Sequence, residues 1–459
     1  MLLKNALLAL ETGAKKGDLR IKQEIIQEIG EGLIPLPDEE TLDLDGKILL
    51  PGGVDVHTHM DLDLGNVRAT DDFYTGTIAA ACGGTTTIVD HMAFGPKGCT
   101  IRHQVEAYHK LAGGKAVVDY SFHGVTDHVD DAVVAEMKDL IADGITSHKV
   151  YLTYGGKITD YEAMKVMQLA AETGIVIAVH HENDGSIAYL REKHLSQGDT
   201  APIFHARSRP PETEAEAVAR TSYFARMAGD APLYVVHLSS ALGLDVVRSA
   251  RKNGQKNLFV ETCPQYLFLD ESRYLEPDGL KYIMSPPLRT PDNCDSLWEG
   301  IIGGDVDTIG TDHCPFFYNK EKQLGKDDFS KAPGGAPGVE ARIPLMFSEI
   351  SSSRLSLEKM VALCSGNPAK LFGMYPKKGV LAVGSDADLV VVDPNKKVTI
   401  TKKILHENTD YTPYEGLTLS GWPILTFSRG EIIAKDGEFI GKKGRGLFIK
   451  RNLPDLNVR

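Results

Sequence analysis

The chain lacks the features that mark membrane, secreted and nucleic-acid-binding proteins. No apolar run among its 459 residues approaches the ~20 residues of a membrane span, and Met1–Asn5 is too short and too soon interrupted for a signal peptide. Its six cysteines have no Cys-x-x-Cys and no regular spacing, which favours reduced thiols in the cytoplasm over a disulfide framework. The net charge of −13 is offset by no Lys/Arg-rich stripe, so we expect no nucleic-acid or membrane partner.

A glycine-rich dinucleotide motif is also missing, since no Gly-x-Gly-x-x-Gly follows the first apolar run. A doubly wound open sheet is therefore the less favoured fold. What the middle of the chain does contain is short, apolar, β-branched runs that alternate with helical stretches. The runs are Val54–His59, Thr85–Asp90, Ala116–Gly124, Ser147–Thr153, Ile175–His180, Leu233–His237, Leu258–Cys263 and Thr308–Asp312. Buried parallel strands have near-continuous apolar sequences, so these eight βα units predict an α/β protein with a (β/α)8 TIM barrel.

Both ends of the chain have a different pattern, which is rich in β-formers and punctuated by turns. We predict that residues 1–50 form the first part of a smaller β-sandwich domain. Residues 51–377 would form the barrel, and residues 378–459 the second part of the sandwich and a C-terminal tail. Within the barrel, Thr159 and Gly174 predict the two ends of a helix over 162–172, and 212–228 predicts another. The mixed-charge stretch 320–328 predicts a solvated loop.

Residues that bind metals stand at the predicted strand ends. His57 and His59 share one face of the first strand, because side chains alternate along a strand. His180, His237 and Asp312 end the fifth, sixth and eighth strands. Active-site groups of such barrels come from the C-terminal ends of the strands, so these residue types together predict a metal site at one rim.

Lys149 is an unusual member of this set, because it lies in the otherwise apolar strand 147–152. A buried ammonium is costly unless it is paired or neutralised. One interpretation is an ion pair with a neighbouring acid. The other is that burial keeps the amine neutral, so that it reacts with CO₂ to form a carbamate, which could bridge two metal ions.

Motifs over nearly the whole chain resemble the D-hydantoinase and dihydropyrimidinase family of the amidohydrolase superfamily. Asp90-His91 and Asp61-Leu62-Asp63 resemble its bacterial D-phenylhydantoinase branch most. The motifs are His57-Thr58-His59, Asp71-Asp72-Phe73-Tyr74-Thr75-Gly76-Thr77, Ala81-Cys82-Gly83-Gly84-Thr85-Thr86, Lys149-Val150-Tyr151-Leu152-Thr153-Tyr154, Val179-His180, Glu182-Asn183, Val236-His237, Glu261-Thr262-Cys263-Pro264-Gln265-Tyr266, Ser285-Pro286-Pro287-Leu288-Arg289, Gly310-Thr311-Asp312-His313 and Gly384-Ser385-Asp386-Ala387-Asp388.

The resemblance implies two divalent metal ions, with zinc expected and manganese, iron or cobalt as alternatives. One ion would be held by His57, His59 and Asp312 and the other by His180 and His237, with N6-carboxylated Lys149 as a bridge. Glu182-Asn183 identifies His180 as the ligand and leaves His181 on the variable position, facing away from the site. By the same resemblance, Asp312 moves the proton, Tyr154 supports the oxyanion and Ser285 holds the substrate ring through its backbone.

One residue departs from the family pattern. Gly334 stands where the family usually has an asparagine that contacts the substrate ring. That contact is made largely by the main chain, so it would survive on a looser loop. The loops 61–72, 94–99 and 154–157 should shape the pocket, whereas His123, His128 and His313 are not required as ligands and Cys314 is expected to pack.

The resemblance implies a metal-dependent cyclic amidase. It would open hydantoin-type or dihydropyrimidine rings to N-carbamoyl amino acids by attack of a metal-bridging hydroxide, as a cytoplasmic homotetramer. Allantoinase and a non-catalytic scaffold of the same fold are the alternatives. Dihydroorotase is disfavoured, because Asp61 and Asp63 would repel its anionic substrate.

Overall fold

The computed structural model describes residues 1–458. The strands, in chain order, are β1 (Leu2–Leu10), β2 (Gly13–Lys22), β3 (Ile25–Gly30), β4 (Thr41–Asp43), β5 (Ile48–Pro51), β6 (Gly53–Thr58), β7 (Thr85–His91), β8 (Asp119–Val125), β9 (Ser147–Tyr151), β10 (Val176–His180), β11 (Leu233–Val235), β12 (Leu258–Thr262), β13 (Thr308–Ile309), β14 (Leu389–Thr399), β15 (Thr418–Ser428), β16 (Glu431–Lys435) and β17 (Glu438–Phe439). The helices are α1 (Thr75–Cys82), α2 (Ile101–Ala112), α3 (Asp131–Leu140), α4 (Asp160–Thr173), α5 (Asp184–Ser196), α6 (Ile203–Arg207), α7 (Pro211–Met227), α8 (Ala241–Lys252), α9 (Gln265–Phe268), α10 (Pro291–Gly303), α11 (Arg342–Ser351), α12 (Leu357–Val361) and α13 (Asn367–Leu371). No helix in this part of the chain is long and apolar enough to cross a membrane.

The strands β6 to β13 form one parallel sheet in sequence order, as the alternation of apolar runs predicts. The sheet closes where a parallel bridge joins Thr58, at the end of β6, to His313, just beyond β13. The amide of His59 donates to the carbonyl oxygen of His313 at 2.9 Å across this seam. The predicted eight-stranded barrel is therefore confirmed, and the doubly wound alternative is wrong.

The outer helices begin and end where their sequence signals stand. Thr159 caps α4 in a reciprocal capping box with Glu162, and Gly174 ends the helix in a left-handed conformation. The other predicted helix is α7, which begins at Pro211, a residue suited to a first helical position because it needs no amide partner there. Both helix predictions are confirmed to within two residues.

A second, mixed sheet is built from both ends of the chain. Its strand order is β17-β16-β15-β14-β5-β1-β2-β3, with β4 parallel to β1. The joint between the two ends is the antiparallel pairing of β5 with β14, in which Leu49 is opposite Val391. This sheet has its own apolar core, which includes Leu8, Leu19 and Phe427. The predicted fold class is thereby confirmed, while the boundaries at residues 51 and 378 stay a prediction.

Two buried cations tie other segments to the barrel. Lys378 donates to Asp119 at the start of β8 and to Asp388 just before β14, at 2.7 and 2.6 Å. Arg451 enters the barrel floor, where its guanidinium donates to Ser147 Oγ at 2.9 Å and to the carbonyl of Phe122 at 2.6 Å. Each cation replaces its lost hydration with protein acceptors, as buried charges require.

The prediction of a solvated loop over 320–328 is wrong at Lys322. Lys322 begins a 3-10 turn, Lys322–Gly325, and its side chain is completely buried. Its ammonium donates to the carbonyl oxygens of Ile283, Pro333 and Gly335 at 2.6, 2.8 and 2.7 Å. Mixed charge in the sequence did not reveal that three main-chain acceptors from other loops surround this one lysine.

Candidate metal centre

The C-terminal rim of the barrel surrounds a cavity of about 910 Å³. All of the predicted metal and substrate residues line it, although they come from five strands or their ends and from three loops: His57, His59, Lys149, Tyr154, His180, His237, Ser285, Asp312 and Gly334. The topology explains the convergence, since the carboxyl ends of all parallel strands in a barrel point to the same rim.

Five candidate ligands lie close together in this cavity, and one ligand atom from each of His57, His237 and Asp312 lies within 4.8 Å of the other two. Nε2 of His57 and Nε2 of His59 lie 3.1 and 3.0 Å from Oδ1 of Asp312. Nε2 of His237 lies 2.9 Å from Nδ1 of His180. Neighbouring donor atoms of a tetrahedral zinc ion with bonds of about 2.0–2.1 Å are separated by about 3.3 Å. These separations are near that value, so the donors fit two adjacent metal ions.

Carboxylates behind the histidines fix the orientation of the rings. Nδ1 of His57 donates to Oε1 of Glu261 at 2.6 Å, which turns Nε2 into the cavity. Nε2 of His180 donates to Oε2 of Glu182 at 2.7 Å, and Arg209 pairs with the same carboxylate. Partners of this kind set the tautomer of a metal-binding histidine and raise its basicity. Within residues 1–458, Nε2 of His57 is buried without a hydrogen-bond partner, as a nitrogen reserved for a metal would be.

Lys149 lies on β9 with its side chain buried. Its Nζ has no hydrogen-bond partner within the described chain, and it lies 5.4 Å from the centre of the Tyr151 ring. Burial lowers the pKa of Lys149 to about 8, although the negative charges of Asp312 and Glu261 oppose the shift. A large fraction of this amine is therefore neutral near pH 8, as carbamate formation requires.

Tyr154 extends over the mouth of the cavity from the loop after β9. Its side chain is partly exposed and its backbone has a φ of +70°, an uncommon conformation for a bulky residue. Such backbone strain persists where the surrounding structure over-determines it, and it clusters at functional sites. The guanidinium of Arg209 lies 5.5 Å from the centre of the Tyr154 ring, so the residue that pairs with Glu182 also positions this tyrosine.

Ser285 and Gly334 lie next to each other in the lining of the cavity. A Cβ atom built on Gly334 would meet Oγ of Ser285 at 3.6 Å, which is an ordinary van der Waals distance. The fold would therefore accept a side chain at this position. Lys322 joins the two loops from behind, because its three carbonyl acceptors flank Ser285 on one loop and Gly334 on the other.

Three other histidines near the rim have surroundings unlike those of the candidate ligands. His123 bonds Ser147 and the carbonyl of Val56, and His313 bonds Asp71, so the side chains of both have partners in the barrel wall. His181 is buried and lies outside the cavity, in agreement with its predicted orientation. Cys314 packs against Ala69 and Phe316 beside the cavity.

Sequence reasoning assigned no role to four supporting residues, which are Glu182, Arg209, Glu261 and Lys322. Glu261 could have been singled out from the sequence, because it is a charged residue in the apolar strand β12, just as Lys149 is a charged residue in β9. Of the others, Glu182 stands two positions after its partner His180, whereas Arg209 and Lys322 act on partners in other segments of the chain.

A barrel with a histidine-rich rim and a buried strand lysine is characteristic of one class of hydrolase. Residues 48–433 match the model of the Amidohydrolase family, and the chain belongs to that family. A curated relative, D-phenylhydantoinase of Escherichia coli O1:K1 / APEC, is 50% identical over 453 residues, which cover 98% of each chain.

Solved structures give the same result. A dihydropyrimidinase from Brevibacillus agri NCHU1002 superposes with a TM-score of 0.96 at 41% identity, over 99% of each chain. An L-hydantoinase (dihydropyrimidinase) from Arthrobacter aurescens has a TM-score of 0.90 at 31% identity, over 98% of this chain and 99% of its own. The fold is thus shared by hydantoinases named for opposite stereochemistry.

Proposed function

We propose that this amidohydrolase opens hydantoin-type or dihydropyrimidine rings to N-carbamoyl amino acids, in the manner of a D-phenylhydantoinase. The observation that carries the proposal is a buried, unpaired Lys149 beside five metal-ligand side chains in a cavity large enough for a small cyclic amide. The named relatives support the class of substrate.

His57, His59 and Asp312 would hold one divalent ion and His180 and His237 the other, with carboxylated Lys149 between them. We expect zinc, because histidine and carboxylate ligands in this geometry suit it. When bound, such a pair lowers the pKa of a shared water to about 7 and polarises the ring carbonyl.

The remaining chemistry belongs to side chains of the chain itself. Asp312 accepts the proton of the attacking water and returns it to the ring nitrogen that leaves when the C–N bond opens. The Tyr154 hydroxyl donates to the carbonyl oxygen as it gains negative charge. The backbone at Ser285 and Gly334 holds the amide edge of the ring, while Arg209 keeps Tyr154 in place.

Charge at the mouth of the cavity favours a neutral ring. Asp61 and Asp63 line it, and Arg68 lies within 3.9 Å of Asp63. The buried Arg209 is already paired with Glu182. Arg191 also lines the cavity, so the charge there is mixed. The two acids nevertheless disfavour an anionic substrate such as dihydroorotate, and allantoin stays the alternative substrate. A purely structural role is disfavoured, because every ligand position is filled.

We further propose that the protein works as a homotetramer in the cytoplasm. The first proposal follows from resemblance to the family, and the second is consistent with six free cysteines. Size-exclusion chromatography with light scattering measures the assembly.

The experiment that tests the function is a turnover screen of the metal-loaded enzyme, supplied with bicarbonate. 5-Phenylhydantoin, dihydrouracil and allantoin are compared by chromatographic detection of the opened products. We expect opening of the first two rings. Turnover of neither would contradict the substrate assignment, and allantoin alone would establish the alternative.

A variant tests the role of Tyr154. Tyr154→Phe should lower kcat by about 10²–10³-fold with a smaller change in KM, because an oxyanion donor acts mainly in the transition state. Tyr161→Phe, on the exposed face of α4, is the matched control and should be unchanged. A Tyr154→Phe enzyme with normal kcat would remove the tyrosine from the mechanism.

A further inference from the structure

A second group of metal-ligand side chains lies away from the rim cavity, between α1 and two loops. Cys82 is the last residue of α1, Glu340 lies shortly before α11, and His406 lies in the segment between β14 and β15. One ligand atom of each residue lies within 4.8 Å of the ligand atoms of the other two. We propose that Cys82, Glu340 and His406 bind a zinc ion, with water as the fourth ligand, at a site distinct from the barrel centre.

The chemistry of the three donors favours zinc over the hard cations. Thiolate, imidazole and carboxylate are its usual ligands, and a thiolate disfavours magnesium and calcium. The three donors also come from segments far apart in sequence, so a bound ion would join them. A site with three protein ligands and one water has the coordination number that zinc prefers.

The backbone is shaped to bring these donors together. A Cβ atom on Gly83 would lie 2.3 Å from the carbonyl oxygen of Glu340, so only glycine allows Glu340 to approach the end of α1 this closely. That contact places the glutamate beside Cys82. The carbonyl end of a helix carries partial negative charge, which adds to the attraction of a cation there.

Two of the ligands are held in place before any ion binds. His406 Nδ1 lies 2.8 Å from Oε1 of Glu340, and the backbone amide of His406 donates to Oε2 at 2.6 Å. A zinc ion would take the place of the proton that lies between Nδ1 of His406 and Oε1 of Glu340. The neutral imidazole would then have its one proton on Nε2 instead of Nδ1, and the thiol of Cys82 would release one proton to solvent.

The site has one open side. Cys82 and Glu340 are only 3% and 2% exposed, whereas the side chain of His406 is 25% exposed. An ion can therefore enter from solvent on the side of His406, while Cys82 and Glu340 lie on its buried side. The negative charge of Glu438 acts on both Cys82 and His406. The positive charge of Lys402 acts on His406 in the opposite direction.

A bound ion would connect the loop that carries Gly334 to α1 and to the segment around His406. Glu340 is six positions after Gly334 along the chain. Its three ligands do not line the rim cavity, so the ion would join these segments without touching the substrate. The water keeps one coordination position open, unlike the structural zinc sites that four protein ligands close.

The test uses the full-length enzyme with cobalt in place of zinc, because a thiolate bound to cobalt produces a near-ultraviolet charge-transfer band. No cysteine is among the proposed ligands of the barrel centre, but Cys314 lines the rim cavity, so the band is assigned to the second site by its loss in Cys82→Ser. Cobalt is titrated into wild type, Cys82→Ser, His406→Gln and Cys364→Ser. Cys364 is the matched control, since it is buried and, among residues 1–458, belongs to none of the metal-ligand groups.

We expect the band in wild type and in Cys364→Ser, saturating at one equivalent beyond the ions of the barrel. It should be lost in Cys82→Ser, weakened in His406→Gln and bleached by zinc. Absence of the band in wild type would overturn the proposal, as would its survival in Cys82→Ser. Both outcomes are independent of ring opening, which Cys82→Ser should retain within about twofold.

Discussion

Two lysines of this protein are equally buried and have opposite surroundings. The Nζ atom of Lys378 lies 2.7, 2.8 and 2.6 Å from carboxylate oxygens of Asp119, Asp386 and Asp388. Lys149 has no such partner. Burial lowers the pKa of both, but the three aspartates more than reverse the shift at Lys378 and raise its pKa above the usual range. At Lys149 burial prevails, and its pKa falls to about 8.

The difference shows that burial alone does not decide what a lysine does. A satisfied ammonium joins two parts of a structure and stays inert, whereas an unsatisfied amine is left available for reaction. Lys322 is a third case, because neutral carbonyl oxygens rather than carboxylates accept its protons. Substitution of Lys149, Lys378 and Lys322 should therefore have three different effects, on metal binding, on stability and on KM.

The largest effect is expected at Lys149. Lys149→Met keeps the length of the side chain but removes the amine, so bound metal and kcat/KM should fall together, the latter by at least about 10³-fold. The free energy of unfolding of the metal-free protein should not decrease, because no hydrogen bond of the lysine is lost. Metal analysis, kinetics and urea unfolding measure the three quantities. Full activity would disprove the carbamate.

At Lys378 the loss should be one of stability. Lys378→Met leaves the buried Asp388 without a counter-charge, while Arg429 still pairs with Asp119 and Lys377 with Asp386. Loss of the shared cation should cost about 3–5 kcal/mol of unfolding free energy. Activity per folded molecule should be normal. Lys377→Met is the control, since Lys377 is 61% exposed and its pair with Asp386 should contribute less than about 1 kcal/mol. Equal costs for the two variants would contradict the comparison.

A smaller effect is expected at Lys322. Lys322→Met releases the carbonyls that hold the loops of Ser285 and Gly334, so KM should rise about tenfold while kcat changes less. Steady-state kinetics on a hydantoin separate the two constants. Lys320→Met, in which a 77% exposed neighbour is changed, should leave both constants unaltered. A pure loss of kcat would instead place Lys322 in the chemical step.

The smallest effect concerns pH. Only the neutral amine of Lys149 reacts with CO₂, and its pKa is about 8, so the rate of reactivation after CO₂ removal should increase with pH. At constant dissolved CO₂ we expect a rise of about fivefold from pH 7 to 8 and less than about twofold from pH 8 to 9. Labelled CO₂ should enter at one position per chain, and none should enter Lys149→Met. A flat profile would show that the amine is not the reacting group.

Much of the fold and of the rim could be predicted because both depend on local pattern. Side-chain alternation placed His57 and His59 together, and parallel topology placed His237 and Asp312 near them. The supporting groups depend instead on contacts between distant segments. Glu261 accepts a hydrogen bond from His57, which is 204 positions away in the sequence. Lys322 donates to the carbonyl oxygen of Ile283, and the residues next to Lys322 do not predict this contact. Such partners leave no periodic pattern in the sequence, so the mixed charge of 320–328 predicts a solvated loop and does not reveal that Lys322 within it is buried.

The pairing of β5 with β14 has a kinetic consequence. Ile48–Pro51 leads directly into the barrel, yet its partner Leu389–Val392 follows the whole barrel in the chain. Closing a loop of that length has a large entropic cost before any contact compensates for it, and such non-local pairing slows folding. The second sheet should consequently be completed after the barrel, and until then β5 offers an unpaired edge to neighbouring chains.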